Sequence, residues 1–137
     1  MTDQEQSIDL MKGKAVHRFG IATVAILMIL FGVAEIVTGF THNFFGVSTT
    51  RGAFSAYANA GVGALYAVAG VLILSMKKRF VAIALACLAL DVVGRIALVA
   101  TGLFPMNNFR QTGAIVAGTT IAIMFAAYIG SKWKQFS

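Results

Sequence analysis

Apolar residues run through the chain in long, unbroken stretches rather than in the two-residue alternation of strands or the one-faced periodicity of soluble helices. A span through the roughly 30 Å hydrocarbon core of a bilayer takes about 20 apolar residues. Four stretches qualify: 19–40, 56–76, 80–103 and 113–129. They are too long and too continuous for barrel strands, which show short alternating segments. The pattern predicts an all-α integral membrane protein built as a four-transmembrane-helix bundle. A tail over 1–18, a membrane domain over 19–130 and a second tail over 131–137 complete the division, and no room is left for a separate soluble domain.

Between the stretches, Lys77-Lys78-Arg79 reads as a short basic turn, which makes the second and third helices antiparallel neighbours. The connection from Thr41 to Ser55 carries Gly46 and Gly52, and that from Phe104 to Thr112 carries Pro105, the single proline. Gly39 and Gly102 follow apolar turns, where a glycine closes a helix with positive φ. Val37-Thr38-Gly39-Phe40 and Ala100-Thr101-Gly102-Leu103 also echo each other, a candidate parallel repeat of the two hairpins. The polar first segment precedes an apolar run longer than a signal-peptide core, and no small-residue cleavage pattern follows it. It reads as a short extension with one amphipathic turn on the membrane rather than a signal peptide.

Composition agrees with this medium. Of 137 residues, 58% are hydrophobic and only 12% charged, against about 25% charged in soluble domains. A soluble enzyme, a nucleic-acid-binding module and a disordered chain are excluded. The net charge of +6 belongs to span ends instead of a nucleic-acid surface. Lys12, Lys14, Arg18, Lys77, Lys78, Arg79, Lys132 and Lys134 gather on one side, against Arg51 and Arg110 on the other. That bias puts both termini in the cytoplasm of a prokaryotic-type cytoplasmic (inner) membrane. Phe19, Phe80, Trp133 and Phe136 form an inner aromatic belt. Phe40, Phe44, Phe45, Phe54, Tyr57, Phe104 and Phe109 form an outer one.

Small residues recur where helices can approach closely. Ala56, Ala60, Gly63, Ala67 and Gly70 stripe the second helix, while Ala114, Gly118, Ala122, Ala126 and Gly130 stripe the fourth. Each serves either contact within the monomer or contact with a second copy. The lipid bilayer is the obligate environment, and a homo-oligomer or a membrane-complex partner is the expected protein partner.

Three ionisable acid or base residues stand inside the spans: Glu35, Asp91 and Arg95. Asp or Arg at mid-helix costs at least about 2.5–3.5 kcal/mol on the insertion scale, so the three should pair or face a wet cavity. At about 1.5 Å rise per residue, Glu35, Arg95 and Asn59 lie about 22–25 Å from the cytoplasmic end of their helices, with Asp91 one turn deeper. Asp91 and Arg95 share a helix face at i, i+4, and Glu35 is expected to reach the same guanidinium. Two carboxylates on one guanidinium carry net −1 when all ionise, which makes the cluster a candidate protonation or cation site. Tyr66 and Thr38 add hydroxyls, and His42 is placed at the outer mouth. The alternative is that the triad only fixes helix register. Cys87, the single cysteine, reads as an apolar filler. With two histidines and one thiol there is no metal cluster, no redox pair and no cofactor motif, and no catalytic motif is seen.

The layout is similar to that of small multidrug resistance transporters, which share four helices and a functional glutamate in the first, here Glu35 in Ala34-Glu35-Ile36. The resemblance implies transport. It stops short of their aromatic motifs, includes no counterpart of Asp91 and Arg95, and those proteins carry a weak charge bias unlike the one here. The hairpin from Gly70-Val71-Leu72 to Lys77-Lys78-Arg79 loosely resembles DoxX-type membrane proteins over that one turn. The expected function is an oligomeric transporter or channel for a small solute, cation or proton. The competing expectation is a non-catalytic accessory or scaffold subunit of a larger membrane complex.

Overall fold

The protein was analysed as a computed structural model, which describes residues 3–44, 47–48, 52–104, 106–107 and 109–137. Phe45, Gly46, Arg51 and Pro105 lie outside the described residues, as do the side chains of Lys12, Lys14 and Phe44. Helices α1 (Asp3–Thr41), α2 (Gly52–Leu74), α3 (Lys78–Ala100) and α4 (Phe109–Ser131) follow one another, with a two-residue-stranded hairpin, β1 (Asn43–Phe44) and β2 (Val47–Ser48), between α1 and α2. All four are long and apolar enough to cross a membrane. Residues such as Leu30, Val33, Leu90 and Ile123 stand exposed around the outside, as hydrocarbon requires of a bundle whose helices satisfy their own backbone.

The element ends depart from the sequence expectation in informative ways. Helix α1 is continuous from Asp3 through 39 residues, about 58 Å at the standard rise, so the first segment prolongs the helix instead of forming one separate turn. Gly39 does not end it. The chain runs on to Thr41, and His42 takes the left-handed conformation at φ 56°. Helix α2 stops at Leu74, before Met76 at φ 55°. Lys78 and Arg79 are therefore already helical, and the turn is Ser75–Lys77. Gly102 does close α3, at φ 71°. The Leu103 N–H donates to the Leu98 carbonyl at 3.0 Å and the Gly102 N–H to Val99 at 3.0 Å, a Schellman closure. Since Gly39 is inside a helix and Gly102 outside one, the proposed repeat does not extend to how these two helices end.

Helices α1 and α2 pack backbone to backbone. Ala25, Gly32 and Gly39 lie seven residues apart on α1, and Ala56, Gly63 and Gly70 seven apart on α2. A Cβ on Gly32 would stand 2.6 Å from the Gly63 carbonyl oxygen, one on Gly39 2.9 Å from that of Ala56, and one on Gly70 2.7 Å from that of Ala25. The heptad spacing keeps one seam in register along an antiparallel pair, and only small residues permit this separation. The α2 stripe is thus consumed within the monomer. The α4 stripe also turns inward at Gly118 and Ala122, whereas Gly130 faces open space.

One apolar core occupies the half of the bundle nearer the termini, where Met28, Ile73, Leu88 and Ile129 meet. Phe136 is folded into it rather than standing in an interfacial belt. The C-terminal residue is tied to the α2–α3 turn: the Lys78 N–H donates to the Ser137 carbonyl at 2.7 Å, and the Ser137 N–H to Met76 at 3.1 Å. A smaller cluster of Val62, Leu98 and Phe104 occupies the opposite half. Phe104, expected in the outer belt, is buried because the Schellman turn directs the chain back over the helix ends. The other expected belt residues Phe19, Phe40, Phe54, Tyr57, Phe80, Phe109 and Trp133 are exposed, with Phe40 edge-on to Tyr57 at 6.2 Å.

Candidate functional site

The middle contact of the α1–α2 seam, Gly32 against Gly63, decides where Glu35 stands. A Cβ on Gly63 would sit 2.8 Å from the Glu35 Cβ, so Glu35 emerges beside the closest approach of the two backbones and is directed along the bundle interior. Asn59, two turns from Tyr66 on α2, donates from Nδ2 to the Glu35 backbone carbonyl at 3.3 Å. The levels estimated from helix rise therefore coincide in space.

Arg95 is the hub. Its Nη2 is ion-paired with Glu35 Oε1, and its Nε donates to Asp91 Oδ2 at 3.1 Å one turn back on α3. The arginine side chain is 6% exposed, Asp91 0% and Glu35 20%, so the guanidinium is enclosed and the glutamate is partly accessible. Gly118 on α4 makes room for it: a Cβ there would meet Arg95 Nη1 at 3.0 Å. Helix α4 thus has a notch where the arginine head fits, a role its small-residue pattern alone did not disclose.

Among the described residues, three buried oxygen atoms around this hub find no hydrogen-bond partner: Glu35 Oε2, Asp91 Oδ1 and the Tyr66 hydroxyl. Tyr66 is 2% exposed. Glu35, Tyr66, Asn59, Thr38 and Arg95 all border one cavity of about 230 Å³. Thr38 spends its hydroxyl on the Ala34 carbonyl at 2.8 Å, leaving that oxygen's lone pairs toward its surroundings. Asp91 stands behind Arg95 and is outside the cavity lining. His42 is exposed beyond the end of α1 and does not line the cavity either. The expectation of a mouth histidine is not matched by a contact with this space.

The remaining walls are apolar. Phe31 and Ala34 come from α1, Ile115 and Ile121 from α4, and Phe104 from the loop after α3. Sequence reasoning missed the two phenylalanines as wall residues. Their signal would have been Phe31 one turn before Glu35, and Phe104 directly after a glycine-closed helix. On the side nearer the termini, Phe31 lies 6.4 Å from Phe125 of α4, which in turn stacks on Tyr66 at 6.2 Å. Further toward the termini, a Cβ on Gly20 would touch the Tyr128 hydroxyl at 2.8 Å. Helices α1 and α4 therefore meet through Gly20 and Phe31, and beyond these contacts residues of both helices border the cavity together with Asn59, Tyr66 and Arg95. Ala117, on the exposed side of α4, also borders the cavity.

Among the described residues there is no group of three or more histidine, cysteine or acidic side chains arranged to hold a metal. Cys87 is a half-buried free thiol packed against the main core. Comparison with protein-family models, with curated proteins and with solved structures found no match to this chain. What the fold defines is a small membrane protein of four apolar helices with a charged cluster at its centre.

Proposed function

We propose that the protein is a small multi-pass transporter whose coupling site is the Glu35 carboxylate, working in a cytoplasmic membrane with both termini on the cytoplasmic side. The observation that carries this reading is the cavity beside Glu35, with Glu35 Oε2 and the Tyr66 hydroxyl at its edge and no partner for either. A triad that served packing alone would gain by satisfying every buried oxygen, because each unmade hydrogen bond costs about 1–3 kcal/mol or more for a charged group. A site that must take up and release a proton or cation has to leave acceptors open. Arg95 keeps the two carboxylates together at net −1 when all three groups ionise, so one positive charge completes the cluster. Asp91 and Arg95 set the field, and Asn59 and Tyr66 position the glutamate and its guest. One chain builds the whole cavity; a homo-oligomer would assemble such units side by side.

The test is flux into proteoliposomes, reading internal pH while sodium, potassium or ethylammonium is supplied outside. Wild-type protein should move protons in exchange for at least one of these cations, and Glu35→Gln should reduce that flux tenfold or more. Equal flux in the two proteins at every pH would remove Glu35 from the coupling site. Retention of a defined larger membrane partner in mild detergent, with no flux in either protein, would favour the accessory-subunit reading instead.

A further inference from the structure

We infer that the groove at the α2–α3 turn binds an anionic phospholipid, with Lys77 and Arg79 on the headgroup phosphodiester and Phe80 and Ile83 against the upper part of an acyl chain. The groove is lined by these four residues and Ser137 and has no residue in common with the Glu35 cavity. The inference is therefore independent of the transport reading. Three observations carry it.

The first is a turn held in one shape. Met76 takes the left-handed conformation at φ 55°, and Lys77 follows in extended conformation at φ −97° and ψ 130° before α3 begins. Ser137 clamps this turn from both sides. Its N–H and its hydroxyl donate to the Met76 carbonyl at 3.1 and 3.2 Å, and its own carbonyl accepts from the Lys78 N–H at 2.7 Å. A ligand that meets Lys77 and Arg79 here does not have to order the backbone that carries them, which favours binding.

The second is charge without a partner. Among the described residues, the ion pairs belong to Arg95, and neither Lys77 nor Arg79 has a carboxylate beside it. No acidic side chain lines the groove. The Lys77 ammonium stands over the Phe80 ring at 5.9 Å, at the edge of this space. Arginine presents a planar fork of donors that matches phosphate oxygens, and lysine adds a compact charge. A choline headgroup would bring its own cation next to both.

The third is the apolar wall and its depth. Phe80, Ile83 and Leu90 share one face of α3, and all three are exposed. The turn joins the candidate spans Gly52–Leu74 and Lys78–Ala100, so in a bilayer its cations stand at headgroup level with this face leading into hydrocarbon. Basic pockets at such a level recognise anionic lipid headgroups. The space is about 640 Å³, against about 30 Å³ for one water, room for a phosphodiester with its glycerol. A soluble phosphate would use only the cations, whereas a lipid uses the cations and the wall.

The experiment titrates the full chain in neutral detergent with phosphatidylglycerol or phosphatidylcholine of identical chains and counts bound lipid by native mass spectrometry. The first phosphatidylglycerol should bind at least tenfold more tightly than the first phosphatidylcholine. Lys77→Gln combined with Arg79→Gln should abolish that preference. Lys132→Gln combined with Lys134→Gln removes the same charge outside the groove and should leave it intact. The exchange Lys77→Arg with Arg79→Lys keeps both charges and should retain most of the preference. Phe80→Ala should weaken phosphatidylglycerol severalfold with both cations in place. Glycerophosphoglycerol, the same headgroup without chains, should not displace the lipid at hundredfold excess. Equal binding of the two lipids overturns the inference, as does a preference that survives the Lys77 and Arg79 glutamine pair. So does an equal effect of the two charge-removing pairs, which would mean attraction to the whole basic end rather than to this groove. Displacement by the bare headgroup would make it a site for soluble phosphate and overturn the lipid. Should the Lys77 and Arg79 glutamine pair melt below wild type, Phe80→Ala and the headgroup competition decide. Loss of proteoliposome flux in Glu35→Gln with lipid preference unchanged would keep the two sites separate.

Discussion

Arg95 touches its two acids through different nitrogens, so the three members of the cluster are not equivalent. Removing the arginine leaves both carboxylates without their shared counterion, with Asp91 fully buried. Breaking a buried ion pair by deleting one partner costs about 3–5 kcal/mol, and Arg95→Gln is expected to lose stability on that scale, read as a lower melting temperature in detergent. Adding Glu35→Gln and Asp91→Asn to it should recover part of the loss, since no unpaired charge then remains buried. If Arg95→Gln melts with the wild type, the cluster contributes nothing to the fold. Gly118→Ala makes a gentler probe. Its Cβ would press on Nη1 at 3.0 Å, which should displace the guanidinium and lower the Glu35-dependent proteoliposome flux severalfold with little change in melting. The participants at this scale were legible in the sequence because charge inside an apolar run is costly and helix rise sets its depth. Asp91, Arg95, Glu35 and Asn59 come together for that reason. Phe104 and Gly118 were not legible: one is placed by the geometry of a turn, the other by the shape of a neighbour's side chain, and neither leaves a periodic trace.

Elements were readable by existence and less so by boundary. Hydropathy marks the length of chain that prefers hydrocarbon, whereas hydrogen bonding decides where a helix stops, so α2 begins at Gly52, ahead of its apolar run, and α4 at Phe109. The α2 stripe was visible, but its mate was not. Ala25, Gly32 and Gly39 are spaced by seven among large residues, and they become a feature only when laid against Ala56, Gly63 and Gly70 on the antiparallel helix. This seam yields a sharp contrast between glycines. Gly32→Val would drive its side chain into the α2 backbone, with a Cβ only 2.5 Å from the Ala67 nitrogen, and the helices would have to part. Overpacking a tight interface costs about 1–3 kcal/mol and sometimes more, so Gly32→Val should melt well below wild type. Gly61→Ala, where nothing lies within 4 Å, should leave melting unchanged or raise it slightly, as helix-interior glycine is about 0.5–1 kcal/mol worse than alanine. Equal effects of the two substitutions would mean that α1 and α2 do not meet at Gly32.

At the scale of the whole molecule, the fold places its basic groups unevenly. The C-terminal residue is hydrogen-bonded to the α2–α3 turn, which brings Lys77, Lys78, Arg79, Lys132 and Lys134 to one end of the bundle. There the Lys77 ammonium lies over the Phe80 ring at 5.9 Å and that of Lys132 over the Tyr128 ring at 5.8 Å, within cation–π range. The opposite end of α4 carries Arg110. Because positive loops are retained in the cytoplasm, this asymmetry should fix a single orientation with the cavity in the outer half of the membrane. Single cysteines introduced in a Cys87→Ala background would read it. Thr41→Cys, exposed at the far end of α1, should react with a membrane-impermeant maleimide in intact cells, and Ser131→Cys, exposed at the end of α4, only after permeabilisation. Labelling of both from outside in one population would mean dual orientation, and the reversed pattern would place Glu35 toward the cytoplasm. Neutralising Lys77, Lys78 and Arg79 together should raise the labelling of Ser131→Cys in intact cells, because those side chains are three of the eight basic residues expected to hold this end inside.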